Sequence, residues 1–181
     1  IYSDAAGDGG FLGVDFGQVQ IYNDDEFIFF LLETGSEINL QDLNEISIYL
    51  DTDDNANTGF SINGIGAELV YSFGDRSGLF YTSGGSSEIY HNDIGLVSAP
   101  TVSYDQFEIA IKRNISILGI PVFLSDNLKI VFQDNSSNGD FLPATNEEIT
   151  YTSSNDALEP LPSFSIQKSN ESDLRIISYN V

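Results

Sequence analysis

Residues 46–51, ISIYLD, alternate strictly: Ile46, Ile48 and Leu50 fall on one face of an extended chain, and Ser47, Tyr49 and Asp51 on the other. Successive side chains of a strand point to opposite faces, so this period of two predicts a β-strand with one buried face. Similar aromatic and β-branched runs recur as QVQIY (18–22), EFIFFLLET (26–34), AELVYSF (67–73), GLFYTS (78–83), EIY (88–90), TVSY (101–104), FEIAIKR (107–113), LKIVFQ (128–133) and EITYT (148–152). They are separated by clusters of Asn, Asp, Gly and Ser, the residues that favour turns. The turn NDD between the first two runs predicts a hairpin. FIFFLL, apolar at every position, predicts a central strand covered on both faces. No segment sustains a 3.6-residue period, although short helical turns are predicted at NLQDLNE (39–45) and NISILG (114–119). The fold expected from these elements is all-β: an antiparallel, jelly-roll-like β-sandwich with one or two short helical turns.

The pattern changes after Thr152. SSNDALEPLPSFSIQKSNESD (153–173) is polar, carries Pro160 and Pro162, and reads as a linker. LRIISYNV (174–181) is a new apolar run, the expected first strand of a truncated following domain. The sandwich is therefore expected over 1–152, the linker over 153–173 and the start of a second domain over 174–181. A 181-residue chain with 41% hydrophobic residues has enough apolar material to bury a core. No apolar run approaches the roughly 20 residues of a membrane helix. IYSDAAGDGG at the N-terminus lacks the basic and apolar regions of a signal peptide, which export would already have removed.

Charge narrows the ligand classes. Six Lys and Arg stand against 28 Asp and Glu, a formal charge of -22. Such a surface repels phosphate backbones and anionic membranes, so neither direct nucleic-acid binding nor membrane attachment is expected. A divalent cation or a neutral ligand suits it better. Cys, Met and Trp are absent, which excludes disulfides, thiolate metal sites and cysteine nucleophiles.

The acidity is densest in IYLDTDDNANTGF (48–60), directly behind the alternating strand. Crowded carboxylates repel one another unless a cation sits among them. Asp51, Asp53 and Asn55 occupy alternate positions, which lets a curled loop present three oxygens inward to a cation such as Ca2+, with its need for about 6–8 oxygen ligands. The loop does not continue as an EF-hand: counted from Asp51, the sixth position is Ala56 rather than Gly and the twelfth is Ile62 rather than Glu. The missing acid is expected from Glu68, because pairing 46–51 with 67–73 brings it to the base of the loop. There it shares a face with Val70 and Ser72, away from Leu69, Tyr71 and Phe73. Backbone carbonyls around Asn57 and Thr58 would complete the shell. The expected metal set is thus Asp51, Asp53, Asn55, Asn57 and Glu68 around a structural Ca2+; the alternative is a solvated loop in which Asp and Asn cap turns.

IYLDTDDNANTGFSINGIGAELVYSF (48–73) resembles the signature of extracellular β-sandwich domains related to carbohydrate-binding module family 9 and the DOMON-like group, where an aspartate-rich loop precedes a GAD or GAE strand. FEIAIKR (107–113) and IVFQDNSSNGDFLP (130–143), with its Gly-Asp-x-x-Pro, resemble later strands of those domains. The resemblance implies a jelly-roll-like sandwich, frequent calcium and secretion. Sugar-binding members often use Trp platforms, which this chain lacks. LRIISYNV resembles the first core strand of the endonuclease/exonuclease/phosphatase superfamily, whose corresponding Asn, here Asn180, lies beside a catalytic divalent metal.

Other motifs carry less chemistry. His91 has Asp93 nearby but no nucleophile placed by any motif, and is read as structural. GDGG (7–10) and SGGSS (83–87) neither open a predicted helix nor carry a P-loop lysine. Glu108 is read as a partner of Lys112 or Arg113, or as a polar strand-face residue. Asn114, Asn135 and Asn170 lie in sequons. Tyr71, Tyr81, Tyr90 and Tyr104 form the candidate stacking platform for a glycan, since an exposed tyrosine pairs a flat apolar face with a polar tip; strand packing is the alternative. The function expected is a non-catalytic accessory domain of a secreted, cell-surface or periplasmic protein of bacterial type. It would bind a glycan or other extracellular polymer and target a C-terminal metal-dependent phosphodiesterase or phosphatase of the same polypeptide. A spacer or docking domain without a glycan ligand is the alternative, and catalysis by this chain itself is a third reading.

Overall fold

The computed structural model describes residues 1–10, 13–42, 44–137 and 139–155. In chain order the strands are β1 (Tyr2–Ser3), β2 (Phe16–Asn23), β3 (Phe27–Ile38), β4 (Ile46–Asp51), β5 (Phe60–Ile62), β6 (Ile65–Ala67), β7 (Leu69–Ser72) and β8 (Ser77–Thr82). They continue as β9 (Gly85–Tyr90), β10 (Val97–Ala99), β11 (Tyr104–Lys112), β12 (Ser116–Ile117), β13 (Ile120–Pro121), β14 (Asn127–Asp134), β15 (Phe141–Leu142) and β16 (Ile149–Thr152). All pairings are antiparallel. One sheet runs β1-β2-β3-β11-β10 and the other β15-β14-β4-β7-β8-β9, with β16 also on β14. The all-β antiparallel sandwich expected from the period of two is the fold observed.

The predicted hairpin forms as β2–β3, with Ile21 opposite Phe30. The inward faces of the two sheets meet in one core: Ile28, Phe30 and Leu32 of β3 and Phe107, Ile109 and Ile111 of β11 share it with Ile46, Ile48 and Leu50 of β4. Phe132 of β14 is the aromatic pivot, 5.8 Å from Phe30 edge to face and 6.5 Å from Phe16 between ring centroids.

Local expectations are corrected in several places. No helix forms among the described residues. Residues 39–42 make a turn across which Asn44 Nδ2 donates to the Asn39 and Leu40 carbonyls. Residues 116–121 make the β12–β13 hairpin, because Leu118 (φ 52°) and Gly119 (φ 81°) take left-handed conformations that a right-handed helix does not use. All six residues of β4 are buried, not only one face. The β5–β6 hairpin folds back over the outer face of the sheet, where Tyr49, Ile65, Ala67 and Val131 make a second small core.

β3 shows the reverse correction. Its expected burial on both faces is not seen among the described residues: Ile28, Phe30 and Leu32 are buried, whereas Phe27, Phe29 and Leu31 are half-buried on the outer face. There Tyr22, Phe29, Ala110 and Val97 align across four strands, flooring a groove of about 590 Å3. Ser153 and Asn155, expected to open the linker, are tied to the sandwich instead. The Ser153 amide donates to Asp126 O, and Arg113 donates to Ser153 Oγ and Asn155 Oδ1. The rest of the expected linker, Asn170, and the run 174–181 with Asn180 lie outside the described residues.

Candidate metal centre

Antiparallel pairing of β4 with β7 sets Leu50 opposite Leu69, so Asp51 and Glu68 arrive side by side at the end of the ladder. Beyond Asp51 the chain curls back on itself. The Asn55 amide donates to Asp51 Oδ1 at 3.2 Å. Thr58 Oγ1 lies 3.1 and 3.0 Å from the two carboxylate oxygens of Asp53 and 2.8 Å from the Asn55 carbonyl. Only a glycine fits where the loop rests on β6: a Cβ at Gly66 would lie 2.2 Å from the Thr58 carbonyl oxygen.

One oxygen from each of Asp51, Asp53 and Glu68 lies within 4.8 Å of the other two. Oxygens bound to one Ca2+ at about 2.3–2.6 Å can be at most about 5 Å apart, so the spread suits a single ion. Asp51 is fully buried and Glu68 only 6% exposed. The Thr52 amide donates to Glu68 Oε2 at 2.8 Å, but Asp51 Oδ2 and Glu68 Oε1 have neither solvent nor a hydrogen-bond partner. Burying a carboxylate oxygen unpaired is costly. Burial accordingly pushes the Asp51 carboxyl up from its ordinary value, with Asp53 adding and the Asn55 amide opposing. Burial also raises Glu68, against the Thr52 amide and the Thr58 hydroxyl and with further push from Asp53 and Asp51. The three carboxylates are a donor set that could hold a divalent cation.

Of the five expected ligands, the structure brings together Asp51, Asp53 and Glu68. Asn55 and Asn57 are exposed, and Asn55 Oδ1 accepts from the Asn57 amide and side chain. Asp54 is left-handed (φ 59°), which breaks the simple alternation on which the Asn55 expectation rests.

The four tyrosines do not form one platform. Tyr71 is 2% exposed, in the main core, with its ring edge-on to Phe73 at 5.6 Å, so it is no stacking surface. Tyr71→Ala is expected to cost about 3–5 kcal/mol, as other large-to-small core changes do, read as a lower urea midpoint. Tyr104 opens β11 in one sheet, while Tyr90 ends β9 in the other. Tyr81 belongs to a different aromatic row: Phe60 lies 5.9 Å from Tyr81 and stacks on Tyr49 at 6.0 Å. The one signal for it in the sequence is Phe60 directly behind the acidic loop. Tyr81 also borders a cavity of about 530 Å3 whose wall includes Asp53 and Glu68. At the end of β9, Asp93 Oδ2 accepts the Tyr90 amide at 2.8 Å, closing the turn.

A second acidic group, Asp4, Asp8 and Asp140, is not foreseen from the sequence. Its one trace there is the Gly-Asp-x-x-Pro motif that contains Asp140. Asp140 is buried and accepts from the Phe16 amide at 2.9 Å and its neighbour Phe141 at 2.7 Å. Asp4 Oδ2 is buried with no donor facing it. Burial, and then the neighbouring Asp140, raise the Asp4 carboxyl from 3.8 to about 7. An acid raised on folding contributes its full stability below the unfolded value and loses it as pH rises through the folded one. In chelator the protein is therefore expected to be less stable at pH 8 than at pH 5.5. Asp4→Asn should recover about 1–2 kcal/mol of the loss, a figure reduced for the solvent that reaches this part-exposed residue. Urea midpoints at the two pH values check it; equal midpoints for both proteins would refute the raised Asp4 carboxyl.

Fold and site together define an antiparallel β-sandwich with a buried acidic group able to hold a metal ion. Compared with known proteins, the chain matches no family model, no curated protein and no solved structure.

Proposed function

We propose that this chain is a calcium-clamped, non-catalytic β-sandwich module, of the kind related to carbohydrate-binding module family 9 and the DOMON-like group. It binds a glycan or other extracellular polymer and targets an attached, secreted metal-dependent phosphodiesterase or phosphatase. The reading is carried by the orphaned oxygens Asp51 Oδ2 and Glu68 Oε1, at the root of the loop that bears the resemblance. An all-oxygen set of this spread favours Ca2+, which tolerates irregular geometry, over Mg2+, which demands a near-ideal octahedron. The cation's role is structural: it joins the end of β4, the 52–59 loop and the residue before β7. Retarded migration in gels containing a polysaccharide supports the binding half of the reading. Free migration on every polysaccharide tried sinks it.

The spacer reading is favoured by one observation, the apolar row Tyr22–Phe29–Ala110–Val97 left half-covered on the outer face of the five-stranded sheet. An attached catalytic domain packing there would slow hydrogen exchange of β3 and β11 amides in the longer polypeptide relative to residues 1–155 alone. Equal exchange in both would remove that support.

A further inference from the structure

We infer that the cavity of about 530 Å3 beside the acidic group is the ligand pocket, and that it takes a neutral sugar through vicinal hydroxyls that complete the cation's coordination shell. This rests on the cation proposed at Asp51, Asp53 and Glu68, and adds the place and chemistry of the ligand. The volume falls within the roughly 300–1,000 Å3 of small-ligand pockets. Asp53, Thr58 and Glu68 form one wall, and Tyr81 at the end of β8 forms another. The segment after the β12–β13 hairpin closes the third side with Val122 and Leu124.

The position of Glu68 links cation and cavity. It lines the cavity together with the part-exposed Asp53 of the same acidic group, so an ion held between them borders the cavity. Ca2+ takes about 6–8 oxygens, and three carboxylates bound through one oxygen each supply three, which leaves places for neutral oxygens reaching in from the cavity. Two adjacent hydroxyls of a sugar ring are neutral oxygens close enough to enter one shell together.

Charge selects against anionic ligands. Three carboxylates outweigh one divalent ion, no Lys or Arg lines the cavity among the described residues, and the chain carries -22 overall. A phosphate or uronate would meet net repulsion, whereas a neutral sugar would not. The apolar surfaces suit the C–H faces of such a ring. Tyr81 is braced by Phe60, itself stacked on Tyr49, so its ring is held in place before a ligand arrives. Leu124, which also lines the cavity, is 62% exposed and adds an open apolar surface.

Affinity electrophoresis in gels containing soluble xylan, laminarin, galactomannan or pullulan, each with calcium or with EDTA, tests the inference alongside thermal melts. The expected result is retention on at least one polysaccharide that EDTA abolishes. Tyr81→Ala should weaken it about tenfold. Ser83→Trp, at an exposed cavity-lining position, should block it. Both variants should keep the calcium-induced rise in melting temperature. Retention unchanged in EDTA, or unchanged in both variants, places the ligand elsewhere and overturns the pocket while the cation reading stands. No calcium-induced rise in the unmutated protein overturns the cation, and the pocket with it. Retention on none of the four overturns the pocket and the glycan reading together.

Discussion

Calcium at a hundredfold excess over its Kd is expected to raise the melting temperature by about 5–10 °C, and Asp53→Ala to abolish the rise. A ligand that binds only the folded state at that excess adds about 2.7 kcal/mol, and each kcal/mol moves the midpoint of a domain this size by about 2–4 °C. Asp53 is the informative position because it is part-exposed, so its removal spares the core. Removing Asp51 or Glu68 would instead disturb residues buried at the sheet. The sign with pH follows from the raised carboxyls of Asp51 and Glu68. Without the ion their contribution is full at low pH and is lost as pH rises through their folded values. With the ion, deprotonation is what creates the ligands. The calcium-induced rise should therefore be larger at pH 8 than at pH 5. Identical melts in calcium and chelator would instead establish the solvated-turn alternative.

Gly66→Ala should destabilise the protein by about 2–4 kcal/mol and remove its calcium response. The added Cβ would lie 2.2 Å from Thr58 O, 2.8 Å from Asn55 O and 3.0 Å from the Ala56 carbonyl carbon. All three are backbone atoms and cannot rotate away, so the loop must lift from β6. Thr58 then loses its contact with Asp53, and Asp53 its place beside Glu68. Gly64→Ala is the matched comparison. Its position is left-handed (φ 93°) but open, with no neighbour nearer than 3.9 Å, so it should cost only about 1–2 kcal/mol and leave calcium binding intact. Urea unfolding and calorimetric calcium titration of the two variants read both effects. Wild-type affinity in Gly66→Ala would show that the loop does not depend on this contact.

Much of the fold is legible in the chain because strand alternation is a local property. ISIYLD and AELVYSF show which residues face the core, and their pairing alone makes Asp51 and Glu68 neighbours. The site is legible for the same reason: its carboxylates lie on one loop and the strand that returns beside it. Asn55 is less legible: Asp54 between it and Asp53 is left-handed, and the Asn55 side-chain oxygen accepts from Asn57. Tyr71 fails as a platform although the same pattern correctly puts it with Leu69 and Phe73, because that face is the core.

By itself, then, the sequence determined the all-β class, the β2–β3 and β4–β7 pairings, the acidic loop with Glu68 at its base, and a net charge of -22. Only the tertiary structure decided that the β5–β6 hairpin buries Tyr49, that β3 keeps one apolar face half-open, that Asp4 meets Asp140, and that residues 120–124 wall a cavity beside the loop. These depend on which distant segments pack on which sheet face. Alternation along a strand records that two faces differ, but it carries no mark of the remote partner that covers either one.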